Sequence, residues 1–364
     1  MNFLTKSKFA FLAALLVTAS AQTDNMPTVT VACGDLITKS VIIGNDLNCP
    51  ETTDYALRIS GENIHVHGAG HKIMAPKAAA AIFAQGSGLK ITNFISTGNS
   101  KGFGLMANNT PKIQIFENDF SKNQNGITLY ADNTLVDGVV IEKNKITESV
   151  EFGVRLTFGD SGKIENPKIT ENDLRNTGEW AIYVMAASFE ITGADNNNFW
   201  GSKNGYYLKD GAFNIHDADF SDQLIIKRTI FVDSAKSVIV KNVNVSSRSV
   251  NMCTEERVGI DFYRVIKFTV DTLVSTAGDV GLQLETESGV ATEGEVVNSS
   301  LTNHIRGGIA IVSHDTTKYG KVVVDKTRFC EPKHDIYIDR ATKIGVVHHV
   351  QPDICPDVVD RSCN

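Results

Sequence analysis

The 364-residue sequence is short of charged residues, proline and long apolar runs, and each shortage excludes a class of protein. Charged residues make up 21%, too few for a coiled coil, while 42% hydrophobic residues are more than a disordered chain contains. Eight prolines and 29 glycines without a Gly-X-Y period exclude collagen. Apart from residues 9–17, the sequence has no long apolar run, so we predict no membrane span.

The sequence also lacks a surplus of positive charge. It has 35 Lys and Arg against 42 Asp and Glu, a net charge of −7. Residues 1–21 contain Lys6 and Lys8 and no acid, so without them the charge is 33 − 42 = −9. So acidic a chain is not expected to bind nucleic acid or an anionic membrane, because both repel negative charge.

Residues 1–21 have the three parts of a secretory signal peptide. Lys6 and Lys8 precede the apolar residues 9–17. The small residues Ala19 and Ala21, with one residue between them, then form a small-x-small cleavage pattern. Nine apolar residues are too few to cross about 30 Å of hydrocarbon. We therefore predict export, with the mature chain beginning at Gln22. The protein would be extracellular, or periplasmic or at the cell surface if its source is bacterial.

A Gly-hydrophobic-x-hydrophobic pattern recurs along the chain at steps of 22 to 30 residues. Its first apolar positions are Ile127, Val154, Ile182, Tyr206, Ile230, Ile260, Leu282, Ile309 and Ile336. A second pattern alternates with it and places a small polar residue between apolar ones. The polar residues are Asn118, Asn144, Asn172 and, in a looser copy, Thr327.

These patterns predict an all-β protein, a single-stranded parallel β-helix of about twelve coils. Alternation of period two indicates strands with one buried face, and no helical periodicity separates them. Strands of adjacent coils would pair about 4.8 Å apart, so that equivalent positions form columns. The asparagines would stack at one bend, where their amides bond one another and their residue type tolerates a left-handed backbone.

The mature N-terminus resembles the opening of secreted right-handed parallel β-helix proteins of the pectin-lyase-like superfamily. The resemblance is carried by Cys33-Gly34-Asp35-Leu36-Ile37-Thr38, Asp46-Leu47-Asn48-Cys49 and Gly68-Ala69-Gly70-His71-Lys72-Ile73. It implies right-handed winding and, in many members, carbohydrate chemistry. The expected signatures of polygalacturonases, pectate lyases and mannuronan epimerases are absent from the sequence, which lowers those assignments. We predict a cap over residues 22–56, the β-helix over 57–342 and a second cap over 343–364.

The six cysteines form neither a CxxC motif nor a zinc-ligand set, so an exported chain would use them in disulfides. We predict that Cys33–Cys49 and Cys355–Cys363 each close one end of the molecule. Cys253 and Cys330 are three coils apart, about 14 Å, beyond the ~7 Å Cα limit. Because the excursion over residues 246–253 could close that gap, we predict this pair as well.

The residues between the inward positions point outward and form columns that carry aromatic and charged side chains. The first column is Thr128, Arg155, Tyr183, Tyr207, Phe231, Asp261, Gln283, Ala310 and Tyr337. The second is Tyr130, Thr157, Met185, Lys209, Asp233, Tyr263, Glu285 and Val312. Rings can stack on sugar faces and charges can bind hydroxyls or uronates. We therefore predict a polysaccharide-binding face with Tyr183, Tyr207, Tyr263 and Glu285 as substrate-binding residues.

Two catalytic schemes fit this face. The Cα atoms of Asp233 and Asp261 should lie about 8 Å apart, which suits the acid and base of an inverting glycosidase. A lyase would instead use Arg155 or Lys209 as base, with Ca²⁺ held by Asp233 and Asp261. The columns also predict ion pairs without catalysis, since Lys209 lies beside Asp233. No separate metal site is predicted, and any other cofactor stays unknown.

Two functions are consistent with these residues. The first is a secreted carbohydrate-active protein, a polysaccharide lyase or glycoside hydrolase that acts on or binds an extracellular polysaccharide. The alternative is a non-catalytic cell-surface or envelope β-helix that binds glycan or a protein partner. Neither the oligomeric state nor the sugar can be predicted from the sequence.

Overall fold

The computed structural model describes residues 25–246, 257–287, 290–313, 320–330, 334–338 and 345–348. These residues form 32 β-strands and one short 3-10 helix, Gly193–Asn196. In chain order, β1 to β16 are Thr28–Val29, Asp35–Ile37, Val41–Ile43, Leu47–Asn48, Tyr55–Glu62, His65–His67, Lys72–Met74, Ala80–Ser87, Lys90–Thr92, Ile95–Ser96, Phe103–Asn108, Gln114–Phe116, Asn125–Ala131, Leu135–Val136, Val140–Glu142 and Phe152–Phe158. Strands β17 to β32 are Lys163–Ile164, Lys168–Thr170, Trp180–Met185, Ser188–Thr192, Ser202–Lys209, Ala212–His216, Ile225–Asp233, Ser237–Asn244, Val258–Tyr263, Lys267–Thr286, Glu293–Val297, Ser300–Ser313, Lys321–Asp325, Arg328–Cys330, Ile336–Ile338 and Gly345–His348.

The strands wind into a parallel β-solenoid of about 11 turns, which confirms the predicted fold class. All strand pairings of the described residues are parallel, and most strands pair with their equivalents in the coils before and after, as β13 does with β11 and β16. Successive pairings of this kind build sheets along the molecule. We call the sheet that runs through β5, β8, β11, β13, β16, β19, β21, β23 and β25 the long face.

The core of the solenoid is a stack of apolar columns. Val154 pairs with Ile182, Ile182 with Tyr206 and Tyr206 with Ile230, and the column continues through Ile260 to Leu282. All six side chains are fully buried. This is the inward column that the sequence predicts, in the predicted register. Since each residue contacts the equivalent residue one coil away, the core grows with the number of coils.

A ladder of asparagine amides runs up one bend. The Nδ2 atom of Asn118 donates to Oδ1 of Asn144 at 2.9 Å, and Asn144 donates in the same way to Asn172 at 3.0 Å. Asn172 continues the ladder to Asn197 at 3.1 Å. Each of these side chains is at least 98% buried, so the ladder satisfies amides that would otherwise lose water. The predicted stacking of asparagines is therefore confirmed.

The left-handed backbone lies one residue before the place we predicted. The positive φ angles fall on Glu117 (56°), Lys143 (58°) and Glu171 (57°), each directly before a ladder asparagine. The ladder asparagines themselves do not have positive φ angles. Placing the turn one residue earlier lets the following side chain point inward, where its amide can bond the next coil. The conformational reason given for asparagine at the bend was therefore wrong, whereas its hydrogen-bonding role holds.

The first coil begins within the predicted N-terminal cap. Strand β2 pairs with β5 in the long face, and β3 pairs with β6, so residues 35–43 already continue the solenoid sheets. Cys33 and Cys49 form the predicted disulfide, with a Cα–Cα distance of 5.7 Å. At the other end, β32 pairs with β29 and extends a sheet into the predicted C-terminal cap.

Several predictions fall on residues that the structure does not describe. They are the signal peptide over residues 1–21, the Cys355–Cys363 pair and Cys253. Cys330 is described and is disulfide-bonded. Within the described residues, no helix is both long and apolar enough to cross a membrane.

Candidate functional site

The two outward columns stand in the register that the sequence predicts. In the first column Arg155 pairs with Tyr183, Tyr183 with Tyr207, and the series continues to Asp261 and Gln283. In the second column Lys209 pairs with Asp233, and Asp233 pairs with Tyr263. The long face therefore brings the predicted site residues onto one surface, across consecutive coils.

Six rings form a continuous set of contacts along this surface, which we call the aromatic strip. Its members are Phe152, Trp180, Tyr183, Tyr207, Phe231 and Tyr263, all of them partly buried. Ring centroids lie 4.6 Å apart for Tyr183 and Tyr207, which stack with an interplanar angle of 23°. Trp180 is nearly perpendicular to Tyr207 but lies within 24° of the Phe231 plane. The strip thus contains rings in two orientations.

Sequence reasoning missed Phe152 and Trp180. Strict alternation would place both residues inward, two positions before Val154 and Ile182. Instead, the small residue and the apolar residue that follows it are both buried, Gly153 with Val154 in one strand and Ala181 with Ile182 in the next. The residue before each small residue therefore points outward. The small residue at the start of each pattern is the signal that could have identified them.

Three arginines lie against the strip, and only Arg155 was predicted. Its guanidinium lies 5.2 Å from the Phe152 ring centroid and 5.9 Å from that of Tyr183. Arg228 lies 5.4 Å from Phe231, and Arg264 lies 4.5 Å from Tyr263. These distances are within the range of cation–π attraction. Arg264 has a left-handed backbone at a corner, with φ 56°, so period-two reasoning along strands could not include it.

Asp233 accepts hydrogen bonds from three side chains of the site. Its Oδ1 accepts from Arg264 and from Ser234, both at 2.7 Å, and its Oδ2 accepts from the Tyr207 hydroxyl at 2.9 Å. Lys209 lies farther away, with Nζ 3.9 Å from Oδ2. Burial raises the pKa of Asp233, but the hydrogen bonds outweigh it and the net pKa is lowered. The carboxylate is therefore held ionised.

Asp261 differs from the exposed residue that the column predicts. Its side chain is fully buried, and its Oδ2 accepts from Arg228 Nε at 2.8 Å. Asp261 lies between Phe231 and the buried Gln283 in its column. The Arg228 guanidinium contacts both the Phe231 ring and the Asp261 carboxylate. An outward direction from the core thus does not expose this side chain, because its neighbours cover it. In this arrangement Asp261 cannot contact a polymer lying on the face.

A second group of acids lies beside Tyr263 of the second outward column. The Tyr263 hydroxyl donates to Glu287 Oε2 at 2.6 Å, and this bond is the main reason why the pKa of Tyr263 is raised. Arg264 NH1 lies 3.5 Å from the same Glu287 oxygen, so Arg264 joins two carboxylates. Glu285 accepts a hydrogen bond from Gln283. Glu287 was not among the predicted residues.

The described residues contain no group of three or more His, Cys, Asp or Glu side chains that could hold a metal ion. The two acids considered for Ca²⁺ are both ion-paired with arginine, Asp233 with Arg264 and Asp261 with Arg228. The donor set present on the face therefore does not fit the Ca²⁺ site. The catalytic roles of Asp233, Asp261, Arg155 and Lys209 stay predictions.

Comparison with known proteins gives a match to one family model and a distant likeness to several solved structures. A family model described as a right handed beta helix region matches residues 36–193. The catalytic domain of Agl-KA is 10% identical, with a TM-score of 0.41, over 87% of this chain and 62% of that one. A GH87 α-1,3-glucanase catalytic unit from Streptomyces thermodiastaticus is 16% identical, with a TM-score of 0.34 over the same shares. A GH87 α-1,3-glucanase catalytic domain in complex with tetrasaccharides is 13% identical, with a TM-score of 0.28 over 88% and 63%.

The chain folds as a parallel β-helix in its described residues, and the right-handed family model matches residues 36–193 of it. It spans about 62% of the length of the first solved structures that it resembles. A search of curated proteins gives no match. Because identity and TM-score are low for all three structures, the function has to be argued from the residues of this chain.

Proposed function

We propose that this protein binds an extracellular polysaccharide along the aromatic strip. The observation that carries the proposal is the strip itself, six partly buried rings in contact over five consecutive coils, with three arginines against them. A strip that rises about 4.8 Å per coil is about 20 Å long, long enough for several sugar rings of one polymer. The partly exposed rings supply apolar area, and the polar side chains between them supply hydrogen bonds.

The two ring orientations would have different roles. The faces of Tyr183 and Tyr207 cover each other, so these rings offer edges and hydroxyls to a ligand. The centroids of Trp180 and Phe231 lie 5.8 Å apart and those of Phe231 and Tyr263 lie 6.4 Å apart, so the faces of these rings overlap less than those of Tyr183 and Tyr207. We assign sugar stacking to this second set. Tyr183, Tyr207, Tyr263 and Glu285 keep their predicted roles in substrate binding.

Binding is favoured over hydrolysis by the Asp233–Asp261 pair. An inverting glycosidase needs one protonated carboxyl group and one free carboxylate beside the sugar. Asp233 is held ionised by Ser234, Arg264 and Tyr207, and Asp261 is buried against Arg228. Neither is placed to give a proton to a glycosidic oxygen. The non-catalytic alternative for this protein therefore fits the contacts better than the enzyme.

One observation favours hydrolysis as a second candidate. Burial raises the pKa of Asp210, which follows Lys209 at the end of β21, while the pKa of its neighbour Asp233 is lowered. Two carboxyl groups whose pKa values are moved apart are typical of acid and base partners. Their main chains are joined by a hydrogen bond from Asp210 N to Asp233 O at 3.1 Å.

Both candidate functions, binding and hydrolysis of a polysaccharide, require export of the protein. The Cys33–Cys49 disulfide supports an oxidising compartment, in agreement with the signal peptide predicted over residues 1–21. We therefore propose that the polysaccharide is met outside the cell or at its surface.

The test is a panel of soluble polysaccharides measured by affinity electrophoresis with the wild-type chain and with Trp180→Ala. We expect at least one polymer to retard the wild type, and the variant to bind it about 10-fold more weakly, because an aromatic contact of this size is lost. Phe83→Ala, in the column that continues through Thr128 to Tyr183 but outside the strip, is the control and should bind normally. Equal binding by wild type and Trp180→Ala would contradict the proposal. The same mixtures are assayed for reducing ends and for absorbance of unsaturated uronates, which would reveal an enzyme.

A further inference from the structure

The three arginines of the strip differ in what neutralises them. Arg228 is paired with Asp261, and Arg264 is paired with Asp233 and Glu287. Arg155 makes no ion pair with any described residue, and its Nε atom is buried without a hydrogen-bond partner. A guanidinium keeps its proton at any working pH, so this charge has to be balanced by water or by a ligand.

Arg155 is held in a fixed place despite this missing partner. Its guanidinium lies against Phe152 and Tyr183, whose rings are themselves in contact at 5.4 Å. Directly before it in the column is Thr128, which is 6% exposed and whose Oγ1 is buried without a partner. Two adjacent side chains thus carry unused hydrogen-bond donors at one end of the strip. Buried polar groups are normally paired, so an unpaired neighbouring couple indicates a missing acceptor.

We propose that Arg155 and Thr128 form a subsite for an oxyanion substituent of the polysaccharide, a carboxylate or a sulfate ester. The proposal rests on the proposed glycan-binding function and adds the charge class of the ligand. The planar guanidinium fork matches the paired oxygens of such a group, and the Thr128 hydroxyl can donate to one of them. A neutral sugar hydroxyl would leave the cation of Arg155 without a counter-charge. Stacking of the sugars on the rings, together with binding of the oxyanion by Arg155, would then fix the register of the polysaccharide on the strip.

Three polymers with one backbone test the charge class: dextran, carboxymethyl-dextran and dextran sulfate. We expect the wild type to bind at least one charged polymer more tightly than dextran. Arg155→Gln should weaken binding of that polymer by about 10- to 100-fold, the value of one charge-assisted hydrogen-bonded contact, and should change dextran binding less than twofold. Whichever charged polymer shows the larger loss identifies the carboxylate or the sulfate as the ligand.

Arg58→Gln is the matched control. Arg58 stands in the same column, joined to Thr128 through Phe83 and Met106, but its side chain is exposed and lies outside the strip. Arg58→Gln removes the same charge from the same face. A similar loss of charged-polymer binding in both variants would therefore mean general electrostatic attraction and would overturn the subsite. Equal binding of charged polymers by wild type and Arg155→Gln would also overturn it.

Trp180→Ala separates this proposal from the function on which it rests. If Trp180→Ala weakens binding of all three polymers while Arg155→Gln does not favour one charge class, the strip binds glycan and the oxyanion subsite is wrong. If Trp180→Ala leaves every polymer unaffected, the glycan-binding function fails instead. Unfolding curves of both variants, matching the wild type, exclude a loss of fold as the cause.

Discussion

At the scale of single residues, the amide side chains at the bend contribute to stability through hydrogen bonds that cross between coils. Asn144 shows the full set. Its Nδ2 donates to Asn172 Oδ1 and to Ile115 O, and its Oδ1 accepts from Asn118. In a coil that lacks asparagine at this position, a shorter side chain can make the bond to the main chain of the coil before. Thr327, for example, donates to Val296 O at 3.3 Å. The position therefore requires a donor that reaches back one coil.

Replacing Asn144 by Ala is expected to lower the free energy of unfolding by about 3 kcal/mol. The change removes the side-chain acceptor of the buried Asn118 main-chain N–H and the side-chain donor to the Ile115 carbonyl, and each unsatisfied buried group costs about 1–3 kcal/mol. Urea unfolding followed by circular dichroism measures the change. Asn214→Ala is the control, because its side chain makes one exposed hydrogen bond to Glu190, and it should shift the curve little. A variant as stable as the wild type would contradict the ladder's role.

At the scale of the strand, the glycine near the start of several strands of the long face is a packing requirement. A Cβ atom on Gly126 would lie 1.9 Å from Ile146 Cγ2 and 2.7 Å from Gly153 O, and one on Gly153 would lie 2.6 Å from Ala181 O. At Gly126 and Gly153 the backbone of one coil approaches the next so closely that no side chain fits. This close approach also turns the residue before the glycine outward, which is how Phe152 joins the aromatic strip.

Gly126→Ala is expected to destabilise the protein by about 1–3 kcal/mol, the usual cost of overpacking a close contact. The reverse change two coils along the series, Ala181→Gly, introduces no clash and is the control. Both variants are compared by thermal unfolding. If Gly126→Ala unfolds at the wild-type temperature, the coils can separate at this point and the packing argument fails.

At the scale of the whole molecule, the solenoid is stabilised by contacts between successive coils, so its ends are weaker than its middle. Within the described residues, β2 of the first coil pairs on one side only, with β5. The Cys33–Cys49 disulfide, which closes 16 residues of sequence separation, lies at this end and joins the segments that flank β2 and β4. The disulfide lowers the conformational entropy of the unfolded chain in the coil that has the fewest contacts with neighbouring coils.

The Cys33→Ser, Cys49→Ser double variant should therefore lose stability locally. A loop of this length corresponds to about 3 kcal/mol of chain entropy. Hydrogen exchange followed by mass spectrometry should show faster exchange in β2 to β6 and unchanged exchange in β16 to β21, which lie many coils away. A uniform increase along the whole chain would show instead that the solenoid unfolds as one unit.

Much of the architecture follows from local spacing. Inward and outward positions alternate along each strand, and coils of 22 to 30 residues bring equal positions into line, so the columns through Val154 and Arg155 can be read from the chain in their correct register. The asparagine ladder and the Cys33–Cys49 bridge are predictable for the same reason, since each joins equivalent or neighbouring points of the winding.

The chemistry of the candidate site was decided by the tertiary structure. The sequence alone could place Asp261 in an outward column, but only the packing of Phe231, Gln283 and Arg228 around it buries the carboxylate. It could place Asp233 beside Lys209, but the closer partner is Arg264, which reaches it from a corner. Strand period and coil length determine which residues become neighbours along the axis. Which neighbour covers or pairs with another depends on corner conformation and side-chain volume, and these act across coils that are distant in sequence.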